Sequence, residues 1–466
     1  MNLKEKVKKK LIDGIEFMES KKQFYKELMA FAIPLALQNL LNALVGASDA
    51  LMLGRLNQES VAAVSLANQI SFVMSLLNGA IIGAIGVLIA QYWGRQDYKR
   101  TKDFLGMAVR YSIAISGIFF LWAFFLPKQL MAIFTPDKNL ISIGAEYLKN
   151  VSFSYLFSSV VQCCLLMMKV SGYAKISVWI SAMMVIVDMT VDFFLIYGIG
   201  AFPKLGANGA AYSTVCVEVT ALALCLIWSY RKENLKIDKH CFFRFSKADK
   251  KTAWKIIPGM LASSLSWGLS ITMHSFIVGH LGADAAAAYS VTGVAQQLIQ
   301  CLTHGISSGA GIMIGTLLGK NLLDKAKEYG RNFWKVSVWC GFINIVLIGI
   351  AGTLVYTFYV LEPAAKHYLV QMLIFSAFYM FAYSFNTIIV VGVFPAGGDS
   401  KYDAISVILA TWCFAIPLAL LGCFVFNWSV ITVYIVMCLD EIIKVPFIPR
   451  RYKKYLWVKN LTTKEA

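Results

Sequence analysis

Long apolar runs separated by short polar stretches dominate the chain. Runs of about 20 or more mainly apolar residues, the length a helix needs to cross a bilayer, fall near 28–53, 62–93, 103–126, 141–168, 176–200 and 209–230. A second set falls near 256–281, 285–318, 333–359, 367–393, 403–426 and 429–447. The pattern predicts an all-α polytopic membrane protein of twelve transmembrane helices in two pseudo-symmetric six-helix bundles. Several runs exceed a straight crossing, so tilt or protrusion is expected. The resulting units are a basic N-terminal segment (1–27), a first lobe (28–230), a basic linker (231–255), a second lobe (256–447) and a basic tail (448–466). Residues 1–27 carry eight Lys among five acids and no apolar core. They read as a surface-lying amphipathic helix or a solvated tail, and not as a cleavable signal.

Composition agrees with the pattern. Hydrophobic residues make up 58% of the chain and charged ones only 15%, against about a quarter in soluble domains. The net charge of +17 raises a nucleic-acid partner, but its placement argues otherwise. With the loops assigned alternately to two sides, 36 of the Lys and Arg fall on one side and six on the other, with Arg110 alone inside a span. That bias is the positive-inside rule. It predicts a multi-pass protein of the cell membrane with both termini cytoplasmic, touching anionic lipid and no nucleic acid. The ten Cys sit mostly within spans, without metal-type spacing, and read as packing residues.

The halves repeat at an offset of about 225 residues. Ile33-Pro34 and Gly54-Arg55-Leu56 are answered by Ile257-Pro258 and Gly279-His280-Leu281; Gly94-Arg95 by Gly319-Lys320; Gly79 and Gly83 by Gly305 and Gly309; Gly172 by Gly398. Six spans per half keep the halves in the same orientation, related by an axis along the membrane normal, with a substrate path between them. The G-x-x-x-G pairs predict close helix packing. A repeat of this size favours a transporter over an enzyme, and a monomer is expected.

Charges inside a bilayer cost roughly 2.5–3.5 kcal/mol even on the mildest scale and are functional candidates by default. Asp49 lies late in span 1; Asp188 and Asp192 lie one helical turn apart in span 5. At about 6 Å and an effective dielectric of 20, the last two repel by roughly 3 kcal/mol. Such a group takes up either a proton or a cation, and its hard oxygens suit Na⁺, with the Thr214 hydroxyl as a further ligand. The alternative is acids merely snorkelled or paired with Arg110. His274, which stands where the repeat would place Asp49, and Glu218 are candidate proton relays, with a packing role the alternative for His274. Asn42, Asn68, Phe153, Met184 and Met273 are candidate liners of a substrate cavity, since Met and aromatics give adaptable, polarizable contact; ordinary packing is the competing reading for each.

Span 1 carries Ser48-Asp49-Ala50-Leu51-Met52-Leu53-Gly54-Arg55-Leu56, and Ala90-Gln91 to Gly94 precedes the basic loop ending at Lys102. Span 5 ends Asp188-Met-Thr-Val-Asp192-Phe-Phe-Leu-Ile-Tyr-Gly198, and Leu205-Gly206-Ala-Asn-Gly209-Ala-Ala-Tyr-Ser-Thr214 opens span 6. In order, across residues 25–450 and with the repeat, these stretches resemble the multidrug and toxic compound extrusion (MATE) family of efflux antiporters, bacterial type. The resemblance implies twelve helices, a cavity between two lobes, and export of lipophilic cations driven by Na⁺ or H⁺. It implies no enzymatic activity and no cofactor beyond the coupling ion, and it makes Asp49, Asp192 and Thr214 cation-site positions. Asp188 departs from the pattern, which often has Asn there, so Na⁺ and H⁺ both stay open. Other members carry a glutamate in span 7 and an aspartate in span 10. Here span 7 lacks a carboxylate and span 10 offers Asn386, while Phe414 and Leu418 stand where Asp188 and Asp192 would repeat. Coupling is therefore expected in the first half, with Asp440-Glu441 facing the interface or Lys444. The rival readings are a lipid-linked oligosaccharide flippase, which would want a cationic cavity, and an intramembrane enzyme using Asp188 and Asp192.

Overall fold

The computed structural model describes residues 3–200, 202–232, 246–358 and 362–463, with backbone alone for 3–18, 20, 47, 50 and 51. Most of the expected basic linker, 233–245, therefore lies outside the described residues, as do the ends of the two terminal segments. The described chain is helical, and no strand occurs in it. The first half comprises α1 (Leu3–Gly54), α2 (Gln58–Gly94), α3 (Tyr98–Phe125), the short α4 (Pro127–Ala132), α5 (Lys138–Val170), α6 (Ala174–Tyr197) and α7 (Ala207–Tyr230). The second comprises α8 (Lys247–His280), α9 (Ala283–Gly319), α10 (Leu323–Phe358), α11 (Pro363–Ala396), α12 (Ser400–Phe424), α13 (Val430–Ile442) and α14 (Ile448–Tyr452). Eleven of these are long and apolar enough to cross a membrane. The twelfth expected span shortens to α13, whose 13 residues reach only about 20 Å at 1.5 Å per residue. Pro446 stops it from continuing, because it has no N–H to donate to the Ile442 carbonyl four residues back. The expected N-terminal segment is helical from Leu3 and continuous with the first span.

The repeat shows in the turns. The chain leaves α2 through Gln96 at φ 61° and leaves α9 through Asn321 at φ 60°. In each turn the left-handed residue's N–H and the next N–H after it reach back to the same relative carbonyls: Gln96 to Trp93 and Asp97 to Tyr92, Asn321 to Leu318 and Leu322 to Leu317. Gly172 and Gly398 both sit at φ 86°, where a side chain would be strained. Packing repeats too: α1 lies on α6 and on α9 of the other half, while α8 lies on α12 and on α2. Gly305 and Gly309 deliver the close approach their spacing predicts, since a Cβ on Gly305 would meet the Ala32 carbonyl at 2.8 Å. Gly79 instead borders a cavity.

On the face that carries the basic loops, the ends of α2 and α9 cross backbone to backbone. A Cβ on Gly94 would collide with the Thr316 carbonyl, and a Cβ on Gly319 with the Gln91 carbonyl. The contact is reciprocal, as a two-fold relation between like surfaces requires. Residues 457–463 cross this junction as a strap. The fully buried Gln91 donates to the carbonyls of Ala396 (2.7 Å) and Lys459 (3.2 Å) and accepts from the Leu461 N–H (2.7 Å). Arg95 donates to the Thr462 carbonyl at 2.9 Å. Trp457, 0% exposed, anchors the strap against Gly330. Truncating a buried Trp costs about 3–5 kcal/mol. Trp457→Ala should therefore lower the unfolding temperature in detergent clearly more than Trp339→Ala, whose ring is 68% exposed; equal shifts would show that the strap holds nothing.

The outer surface is apolar: Trp179, Trp339 and Phe378 project from the bundle, as lipid-facing side chains do.

Candidate functional site

A buried hydrogen bond keys the first half together. Gln38 on α1 donates to Ser181 Oγ on α6 at 2.8 Å. Asp49 lies eleven residues after Gln38 and Asp192 eleven after Ser181, the same rise of about 16 Å along each helix. Two helices running side by side from that key thus bring Asp49 level with Asp192, with Asp188 one turn earlier on the same face. Carboxylate oxygens of the three residues all lie within 4.8 Å of one another. Asp188 and Asp192 are 2% and 1% exposed. One oxygen of Asp49, one of Asp188 and both of Asp192 are buried without a hydrogen-bond partner. None of the three joins a salt bridge among the described residues. Three acids at this range make a donor set for a proton or a hard cation.

The approach of α7 completes the group. Gly209 lets α7 press onto the end of α6, where a Cβ would meet the Leu195 carbonyl at 2.8 Å. One turn further, Ser213 is fully buried and donates to the Asp188 carbonyl at 3.2 Å. Thr214, the hydroxyl expected from the sequence, instead donates back to Ala210 O at 2.9 Å. Ser213 is the hydroxyl the sequence reading missed, and its only signal was proximity to Thr214. Glu218 lies further along α7, beside Ser158 and within electrostatic reach of Asp188, with a buried, unpartnered Oε2.

The expected substrate liners lie in different surroundings. Met184 packs among Cys164, Met168 and Cys225. Met273, half-buried, packs against the core of the second half. Phe153 meets Phe120 and Phe124 edge-on at 5.4 and 5.6 Å between ring centres. Asn42 and Asn68 are exposed, and Asn68 accepts weakly from the Tyr147 hydroxyl at 3.4 Å. Long, soft side chains fill core gaps as readily as they line cavities. His274, whose Nε2 has no partner, lines a cavity of about 550 Å³ together with Gln69, Trp267, Gln296 and Asp440.

The second half holds buried acids of its own, away from the positions that repeat Asp49, Asp188 and Asp192. Asp403 near the start of α12, Asp440 and Glu441 in α13, and Lys444 just after it are each 6–7% exposed. Hydropathy placed these residues at the margins of spans, but Leu76 of α2, Met260, Ser263 and Trp267 of α8 and His304 of α9 line one cavity with Asp403, Glu441 and Lys444, so the margins lie inside the protein. Lys444 Nζ contacts Glu441 Oε1 at 2.5 Å, as one of the two expected placements of Glu441 had it.

The MatE family profile matches residues 34–194 and 258–421. The chain is 24% identical over 455 residues to the uncharacterized transporter YisQ of Bacillus subtilis, covering 93% of this chain and 95% of that one. It is 21% identical over 399 residues to the multidrug resistance protein PmpM of Pseudomonas aeruginosa, covering 84% and 82%. Among solved structures, the Vibrio cholerae MATE transporter VcmN in its bent form superposes with a TM-score of 0.84 at 16% identity, over 95% of this chain and 99% of that one. A MOP superfamily transporter from Pyrococcus furiosus, described as having a binding pocket of reverse polarity, gives 0.83 at 16% identity over 94% and 97%.

Proposed function

Because this chain belongs to the MatE family, we propose that it is a secondary carrier exporting lipophilic, cationic small molecules in exchange for Na⁺ or H⁺. The observation that supports this reading best is the Asp49–Asp188–Asp192 group, three acids within 4.8 Å of one another that join no salt bridge among the described residues. In the cycle we propose, the basic face is cytoplasmic and the cavity opens outward while the α2–α9 crossing is closed. An ion enters between the three carboxylates and neutralises the field that holds a cationic substrate, which leaves. The lobes then rock and the ion is released inward. A membrane potential adds about 2.3 kcal/mol per charge per 100 mV to that inward step. The carrier acts as a monomer in contact with anionic lipid.

Proteoliposomes loaded with ethidium provide the test, with a Na⁺ gradient and a pH gradient imposed separately. One of the two gradients is expected to drive the dye against its concentration. Dye movement indifferent to both would overturn the antiport reading.

A further inference from the structure

A second cavity, of about 250 Å³, lies between the halves, lined by Leu76 and Gly79 of α2 and by Ser263, Asn386, Asp403 and Lys444 of the second half. Around it the carboxylates of Asp403 and Glu441 face the Lys444 ammonium. Glu441 is held from both sides: Oε1 by Lys444 Nζ at 2.5 Å, Oε2 by Asn386 Nδ2 at 2.5 Å. Ser263 Oγ donates to Asp403 Oδ2 at 2.6 Å. The Asn386 side-chain oxygen, on a residue 4% exposed that lines the cavity, has no hydrogen-bond partner. Asp440 also keeps a buried, unpartnered Oδ1, and it borders the larger cavity that holds His274. The two acids Asp440 and Asp403 thus open on different cavities, with the Glu441–Lys444 pair in the same group.

The helices explain the placement. α11 widens into a π-helical stretch at Thr387–Val393, directly after Asn386, and α12 does so at Ile408–Ala415. Each stretch ends two residues before a proline (Pro395, Pro417), which removes an N–H from the ladder. Such bulges recur at functional sites.

We propose that Asp403, Asp440 and Glu441 form a second ion site that exchanges protons only, because the Lys444 ammonium occupies the place a metal cation would take. Fully ionised, the group would carry two uncompensated negative charges in a buried setting, a state that protons relieve. The remaining oxygens, from Ser263, Asn386 and Asp403, are the hard donors a small cation would use, but Lys444 already fills the site's cationic role. The proposal rests on reading the chain as an ion-coupled carrier, and it adds a second ion site on elements separate from the Asp49 group.

Other titratable groups nearby are His304 on α9, bonded to Tyr383 on α11 at 2.9 Å, with Tyr379 on α11, Tyr402 on α12, Cys438 on α13 and His274 on α8. From α2 the cavity meets only Ser75, Leu76, Gly79 and Ala80. The test therefore uses full-length protein in nanodiscs carrying His274→Asn, His304→Gln and Asp49→Asn, with no gradient and no substrate. Trp267 lines both cavities, so its fluorescence, taken as the difference from Trp267→Phe, is followed between pH 5 and 9 in sodium chloride and in choline chloride. A transition with the same midpoint in both salts is expected. It should vanish when Asp403→Asn, Asp440→Asn and Glu441→Gln are combined, and persist in Asp403→Glu. In Lys444→Met the midpoint should become sodium-dependent, falling as sodium rises tenfold, because a cation can now compete with the proton. A sodium-dependent midpoint before Lys444 is changed, survival of the transition without the three acids, its loss in Asp403→Glu, or a sodium-blind Lys444→Met would each overturn the proposal. Failure of gradient-driven dye transport would count against the carrier reading and leave this titration untouched.

Discussion

Asp49→Asn is expected to reduce ethidium efflux to the level of cells lacking the protein, while the amount of protein in the membrane stays unchanged. The expectation follows from the geometry. A charge about 5 Å from a bound cation contributes roughly 3 kcal/mol at an effective dielectric of 20, so removing it weakens ion binding by about a hundredfold. Insertion should be unaffected or eased, since an intramembrane charge opposes insertion. Asp49 is also the member of the three that is partly accessible, whereas Asp188 and Asp192 are buried. In the antiport cycle proposed above, it is the carboxylate an arriving ion would meet first. The measurement is dye efflux in energised cells beside an immunoblot of membranes. Efflux undiminished at equal protein would remove Asp49 from coupling and with it the reading of the whole group.

The second large effect is expected at the α2–α9 crossing. Gly319→Leu puts a side chain into the Gln91 carbonyl, and overpacking of this kind costs about 1–3 kcal/mol. That cost falls only on the state in which the basic face is closed. A carrier whose two states lie within a few kcal/mol of each other would shift its population by about fivefold to more than a hundredfold. Spin labels at Lys99 and Asp324, in a cysteine-free background, should report longer distances in the variant, and efflux should fall at least tenfold. An unchanged distance distribution would mean that the crossing yields without opening. Gly94→Leu should behave in the same way, because the two contacts are reciprocal.

Much of the architecture was legible in the residues. The offset of about 225 predicted equivalent turns, and Gln96 and Asn321 adopt the same left-handed geometry. The three acids of the first half were legible because charge in a span is costly enough to need a purpose. Which hydroxyl joins them was not. Successive residues on a helix point about 100° apart, so the choice between Ser213 and Thr214 depends on how α7 is rolled against α6, and the contact at Gly209 and Leu195 sets that roll. The substrate liners were illegible for a different reason: Met184 and Met273 have the same chemistry in a cavity as in a core. How deeply the group around Lys444 is buried was not legible, because hydropathy measures depth along a single helix. Its burial comes from elements far away in sequence, the stretch of α8 from Met260 to Trp267 and Leu76 of α2, which cover what the helix alone would leave at the water's edge.

The strap also bears on the order in which the protein is made. Both ends of the crossing at Gly94 and Gly319 exist before residues 457–463 have been synthesised. At about 5–20 residues per second, the first half waits roughly 10–50 s between completion of α7 and arrival of Trp457. During that interval Gln91 has no Leu461 or Lys459 to bond. Each bundle can thus reach its own packing in the bilayer while the junction between them is untied, and the fastening comes only after the last membrane helix. Until that interval ends the nascent chain has no strap across its junction, so the contact between the bundles is the last part of the fold to be secured.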